Sequence, residues 1–249
     1  MQLRHLEQAK ERGACVMSAG DFFCAMQGKW DRRASKSELR PEHRCDNYLD
    51  TLVTTAADFF APYANQFITI AVGNHEQSIV DHHETNLIER LIATLHERTG
   101  STIYCGGFSG WIIFQFKDTS MRAGRSDRNR IVLHYDHGYG GGGPVTADMI
   151  QYARRAVYLP DADIIVSGHT HDSWCRDVSR LRLSPKGVVR QEIQTHLKIP
   201  SYKDDYGEGF GGWTTTKKGS PPKPLGAYWL RFYWDRARGR FGHEVIRAQ

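Results

Sequence analysis

The chain has 249 residues, of which 40% are hydrophobic and 24% charged, with a formal net charge of +5. This is an ordinary globular composition, and its longest apolar runs, such as Trp111 to Phe116, are too short to span a bilayer. Its five cysteines are scattered and form no C-x-x-C pair, which argues against a zinc ribbon or a disulfide framework.

Free thiols fit a reducing compartment, and the polar start MQLRHLEQAKERG lacks the apolar stretch of a signal peptide. A cytoplasmic location without membrane attachment is therefore expected. No Pro/Ser-rich or charged linker divides the chain, so one domain over residues 1–249 is expected. The mild positive charge suits an anionic substrate but does not require one.

In chain order, Gln2 to Arg12 reads as a helix and Ala14 to Ala19 as a strand that stops at Gly20-Asp21. Asp46 to Tyr63 reads as a helix with Leu49, Leu52, Val53, Ala56 and Phe60 on one face, and Pro62 helps to end it. Phe67 to Val72 is a strand that stops at Gly73-Asn74-His75-Glu76. Glu84 to Arg98 reads as a helix carrying Leu87, Ile88, Leu91, Ile92 and Leu95, with Gly100 as its stop. Arg130 to Tyr135 is a strand that stops at Asp136-His137-Gly138. Thr146 is placed to cap a third helix whose apolar face is Met149, Ile150, Ala153 and Val157. Asp163 to Ser167 is a strand that stops at Gly168-His169-Thr170-His171. From Arg180 onward the pattern is strands and turns, ending in Ala227 to Trp234 and Gly242 to Arg247 as the last strands of a second sheet. The Gly- and Pro-rich stretch Gly207 to Pro224 is long for a passive connection and reads as a functional loop. Strands alternating with helices indicate the α/β class.

Ligands of open α/β sheets bind beyond the carboxyl ends of the strands. Here those ends carry Asp21, Asn74 with His75, His137, and His169 with His171. Carboxylate, amide and imidazole together suit Mn, Fe or Zn better than Ca or Mg. Each block alone also fits an ordinary turn or helix cap; their joint occurrence at strand exits points to a metal site.

These blocks, Gly20-Asp21, Gly73-Asn74-His75-Glu76, His137-Gly138 and Gly168-His169-Thr170-His171, resemble those of the calcineurin-like metallophosphoesterases over about Ala14 to Asp172. The tail resembles phage and bacterial members more loosely, in Pro200 to Tyr206 and Gly211-Gly-Trp213. The resemblance implies a four-layer α/β/β/α sandwich of two mixed sheets flanked by helices. It implies two divalent metals, with Mn expected and Fe or Zn as alternatives. Asp21 would bridge them, Asn74, His137 and His169 would complete one, and His171 would help to hold the other. A metal-activated hydroxide would then hydrolyse a phosphomonoester or phosphodiester, with His75 stabilising or protonating the leaving group.

The sequence departs from that pattern in two places. The family's Asp-x-His block, expected on a strand before Gly20-Asp21, is not found, and His5 lies in a helical stretch. One metal is then expected to keep only Asp21 and His171, and the other to be held firmly. A second Asp that often follows Gly-Asp in the family is Cys24 here.

His134 is an alternative ligand to His137, or a hydrogen-bond partner of the ligands. The glycines from Gly140 to Gly143 fit either an anion-binding turn or a flexible one. Lys29, Arg32, Arg33, Lys36 and Arg40, and likewise Arg122, Arg125, Arg128 and Arg130, fit either phosphate or nucleic-acid contacts or solvated loops. Tyr228, Trp229, Phe232, Tyr233 and Trp234 read as sheet core. The competing function is a catalytically degenerate module of the same fold that binds nucleic acid or protein.

Overall fold

The computed structural model describes residues 1–25, 39–116, 130–141, 143, 145–183, 186–204, 206 and 221–248. They form two compact units, Gln2–Ser109 and Gly110–Gln249. The fold class is mixed α/β, with two main sheets and five α-helices among the described residues. No helix among these residues is long and apolar enough to cross a membrane, and all five cysteines are free. The basic positions Lys29, Arg32, Arg33, Lys36, Arg122, Arg125 and Arg128, and most of the Gly207 to Pro224 stretch, lie outside the described residues.

The first unit contains α1 (Gln2–Glu11), β1 (Val16–Ser18), α2 (Tyr48–Phe60), β2 (Phe67–Ala71), α3 (Asn74–His83), α4 (Leu87–Thr99) and β3 (Tyr104–Gly106). Its three strands are parallel in the order β1-β2-β3. Ile70 of β2 and Leu87, Ile88, Leu91 and Leu95 of α4 are fully buried in one core with Val53, Ala57 and Phe60 of α2. The Asn86 side chain caps α4 by accepting from the Ile88 and Glu89 N–H groups, and Gly100 ends it in the left-handed conformation (φ +70°).

Two boundaries differ from the sequence reading. Residues 74–83, of which only Asn74 to Glu76 were read, as a turn or a helix cap, form α3, and the next helix starts at Leu87 rather than Glu84. The segment NHEQSIVDHH is too polar for apolar periodicity to reveal a helix. Its start is instead set by Gly73, whose N–H donates to Glu76 Oε2 at 2.8 Å.

The second unit contains β4 (Ser109–Gln115), β5 (Arg130–Asp136), α5 (Met149–Tyr158), β6 (Ile164–Ser167), β7 (Trp174–Leu183), β8 (Val189–Lys198), β9 (Tyr228–Asp235) and β10 (Arg240–Arg247). The five-stranded sheet has the order β4-β5-β6-β8-β7; β5, β6 and β8 run parallel, and β7 closes the edge antiparallel to β8. β9 and β10 form a separate antiparallel pair. Phe232 of β9 packs on Phe114 and Phe116, and Trp234 packs on Phe241 of β10, whereas Tyr233 is exposed.

Helix α5 is turned over relative to its sequence pattern. Met149, Ile150, Ala153 and Val157, the expected core face, are exposed, and Tyr152 and Arg155 are buried. The sheet explains this. Asp136, Ser167, Gln194, His196 and Lys198 are buried polar or charged residues of β5, β6 and β8. A polar helix face satisfies such groups, and an apolar one leaves them unpaired. The helix also begins later than Thr146, after left-handed turns at Ala147 and Asp148 (φ +42° and +65°).

Candidate functional site

In the first unit, β1 and β2 are parallel neighbours, so the turns that follow them emerge side by side. After β1 the chain turns through Gly20 (φ +99°) and Asp21 (φ +51°). Asp21 Oδ1 accepts the His75 N–H at 3.1 Å, placing the carboxylate at the N-terminal end of α3. Asn74 and His75 are the first two residues of that helix. A Cβ on Gly73 would lie 2.2 Å from Asp21 Oδ1, so only glycine admits the carboxylate here.

Glu76 joins the two turns. It is fully buried and accepts from the N–H groups of Gly73 (2.8 Å), Asp21 (3.1 Å) and Phe23 (2.7 Å). Burial pushes its carboxyl up to about 6, and the neighbouring Asp21 adds to that, while the backbone donors oppose it. His75 Nδ1 lies 3.3 Å from the Phe23 carbonyl, to which its N–H donates, and Nε2 lies 3.7 Å from Asp21 Oδ2. A carbonyl thus orients His75, and Cys24, at the family's second Asp position, is exposed.

In the second unit, β5 and β6 are parallel with Asp136 opposite Ser167, so His137 and Gly168-His169 leave the sheet as neighbours. His137 is buried, and its Nε2 lies 3.3 Å from His169 Nδ1. His169 Nε2 lies 3.0 Å from the Gly140 carbonyl. Donation to that carbonyl puts the proton on Nε2 and leaves the Nδ1 lone pair facing His137. Two nitrogens each about 2.1 Å from one ion, at roughly tetrahedral to right angles, sit about 3.0–3.4 Å apart. The imidazole pair therefore has the spacing of two ligands of one metal.

His169 (φ +72°) and His171 (φ +59°) are both left-handed. With Asp21, three of the six non-glycine residues of positive φ among the described residues are expected ligands. Such backbone strain persists only where the surroundings impose it, and it concentrates at functional sites. His134, the alternative to His137, sits within β5 with its ring edge-on to Trp111 at 4.8 Å, and burial lowers its pKa. His5 is buried on α1.

A buried network lies beneath the imidazole turns. Arg155 donates to Asp136 Oδ1 at 2.7 Å. Lys198, with no exposed surface, donates to Asp148 Oδ2 (3.1 Å) and the Tyr152 hydroxyl (3.0 Å). Both cations also approach the Tyr152 ring, at 4.4 and 4.3 Å from its centroid. Burial pulls Lys198 down to about 8 against the pull of Asp148, and burial pushes Tyr152 up to about 12. The Tyr152 hydroxyl would lie 2.5 Å from a Cβ on Gly138, so it shapes the turn immediately after His137.

No protein-family model matches the chain, and no curated protein matches it. Among solved structures, it is similar to wild-type Vps29 complexed with Zn2+ from Entamoeba histolytica. That similarity is 11% identity over 72% of this chain and 81% of the other, with a TM-score of 0.30. A score that low carries no weight for fold or function.

Sequence reasoning assigned no role to Glu76, Tyr152, Asp148 or Lys198. For Glu76 a signal existed, since Gly73-x-x-Glu76 has capping-box spacing. For Lys198 none did, since its partner Asp148 is fifty positions away.

Proposed function

We propose that this protein is a metal-dependent phosphoesterase of the calcineurin-like kind. In this reading Asp21, Asn74, His137, His169 and His171 are the metal ligands, and two metals make up the complete centre. The observation that carries the reading is the His137–His169 pair, two ring nitrogens 3.3 Å apart at adjacent strand exits. The Gly140 carbonyl supports it by holding the His169 tautomer that leaves Nδ1 able to ligate.

Divalent ions bound there would lower the pKa of water and offset charge on the phosphoryl oxygens. The chain's own groups would do the rest. Glu76 ties the Asp21 turn to α3 through three backbone N–H groups, so carboxylate and helix end move as one body. His75, with Nδ1–H donated to Phe23, presents Nε2 as the atom that exchanges a proton with the leaving oxygen.

The test is turnover of bis-p-nitrophenyl phosphate and p-nitrophenyl phosphate, with metal content measured in parallel. Turnover is expected to vanish in chelator and to return with Mn2+ before Mg2+. His169→Ala should lose metal and activity together. His75→Ala should keep metal and lose about 10²- to 10⁴-fold in kcat. Full turnover in excess chelator, or no metal uptake by the wild-type protein, would reject the reading.

A further inference from the structure

The overturned helix leaves an apolar surface that no described residue is shown to cover. Val145, Thr146, Ala147, Met149, Ile150, Ala153 and Val157 line an open groove of about 580 Å³, and Arg154 and Arg176 complete its lining. Val145 is 94% exposed, Ile150 59% and Val157 83%. Scattered exposed apolar residues are common, whereas these lie together along one helix. All of these residues belong to the second unit.

We propose that this groove of α5 and β7 docks an amphipathic helix of another protein, whose apolar stripe is flanked by acidic residues. The stripe Met149, Ile150, Ala153, Val157 has the i, i+1, i+4, i+8 spacing of a helix face, and small Ala153 at its middle allows close approach of a second helix. The charge in the lining decides the flanks. Arg154 and Arg176 are exposed, make no hydrogen bond or ion pair among the described residues, and have no acidic residue beside them in the groove lining. Opposite charge on a partner steers its approach and fixes its register.

Two other occupants fit less well. A second copy of this chain would bring Arg154 and Arg176 against the same arginines. An anionic membrane matches the charge, but the small Ala153 at the middle of the stripe, which lets a helix approach closely, gives a lipid surface no added contact.

The experiment uses the full-length protein and a displayed library of 18-residue helical peptides. Their apolar stripe is constant and their flanking positions are randomised. Selection on the wild type should enrich Asp and Glu at the flanks. Selection on Arg154→Glu/Arg176→Glu should enrich Lys and Arg instead. A selected acidic peptide, labelled with fluorescein, should bind the wild type at least tenfold more tightly than it binds Ile150→Asp by fluorescence polarisation. Both variants change exposed side chains, so their thermal unfolding should match the wild type; the charge-reversed protein keeps the test decisive if Ile150→Asp fails to fold. Flanks without charge preference, or equal binding by a folded Ile150→Asp, would overturn the proposal. So would a concentration-dependent dimer, or binding to vesicles of phosphatidylcholine and phosphatidylserine, that Ile150→Asp abolishes. These results would assign the groove to self-association or to membrane.

Discussion

Helices α4 and α5 carry the same kind of sequence pattern and use it in opposite ways. On α4 the apolar residues Leu87, Ile88, Leu91 and Leu95 are fully buried against β2 and α2 neighbours. On α5 the apolar residues face out, and Tyr152 and Arg155 face in. The difference lies in what each helix meets. The core around α4 is built of Ile70, Val53, Ala57 and Phe60, so burying a leucine there removes apolar area from water at no polar cost. The layer beneath α5 holds Asp136, Gln194, His196 and Lys198, and polar groups buried without partners cost more than an exposed apolar stripe. One helix is thus held by packing, the other by a satisfied polar network.

Breaking that network should have the largest effect on stability. Arg155→Leu leaves Asp136 buried without its cation, and Lys198→Met does the same to Asp148; each should lose about 3–5 kcal/mol in urea unfolding. The double variant Asp136→Leu/Arg155→Leu should recover most of that loss, because no uncompensated charge remains. A double variant as unstable as the single one would mean that the pair does not hold α5.

Leu91→Ala in α4 should cost somewhat less, about 2–5 kcal/mol, through lost transfer energy and the cavity left behind. Paired with it, Ile150→Ser on the outer face of α5 should change stability by less than about 0.5 kcal/mol. Equal losses from the two would show that the α5 stripe is core after all.

The pH dependence sharpens the contrast further. Lys198 holds its proton in the folded state only below about 8, against an ordinary 10.5. Between those values the unfolded chain binds more protons, so this group makes stability rise with pH there. Its destabilising effect is complete below pH 8 and relieved toward 10.5. Tyr152, raised to about 12 from 10.0, acts oppositely, since above pH 10 the folded state binds more protons and stability falls. Unfolding free energies at pH 7.5, 9 and 10 should therefore rise in the wild type relative to Lys198→Met. A flat difference would mean that Lys198 is charged throughout that range.

The smallest effect concerns the cap of α4. Asn86→Ala removes the acceptor for two N–H groups and should cost about 1 kcal/mol, with the shape of the unfolding transition unchanged. No such side-chain cap exists at Asp148 of α5, whose start is held instead by Lys198 and by the Trp174 Nε1–H donated to the Ala147 carbonyl at 2.9 Å. Asp148→Ala should therefore behave as the loss of a buried ion-pair partner, with a cost several times that of Asn86→Ala. Equal costs would erase the distinction.

Much of this was readable from local chemistry. Short apolar runs cut off by Gly, Asp, Asn or His place β1, β2, β5 and β6, because a buried strand needs continuous apolar residues and its exit needs a turn. The α/β class and the residues at those exits follow from the same signal. The inner face of α4 follows from periodicity, because its surroundings are apolar as the pattern assumes. Of helix α3 only the start was readable, in the spacing Gly73-x-x-Glu76, since no apolar face marks the rest. The rotation of α5 was not readable, since periodicity identifies an apolar face without saying what lies opposite.

The sequence by itself determined which residues stand at the strand ends and which side chains can accept a metal, because both depend on residues adjacent in the chain. Only the tertiary structure decided that His137 comes within 3.3 Å of His169, which requires β5 and β6 to be parallel neighbours. It also decided that Lys198 meets Asp148 across fifty positions and so turns the apolar face of α5 toward solvent. Those outcomes depend on strand order and on the pairing of buried charges, and neither is encoded in any local stretch of residues.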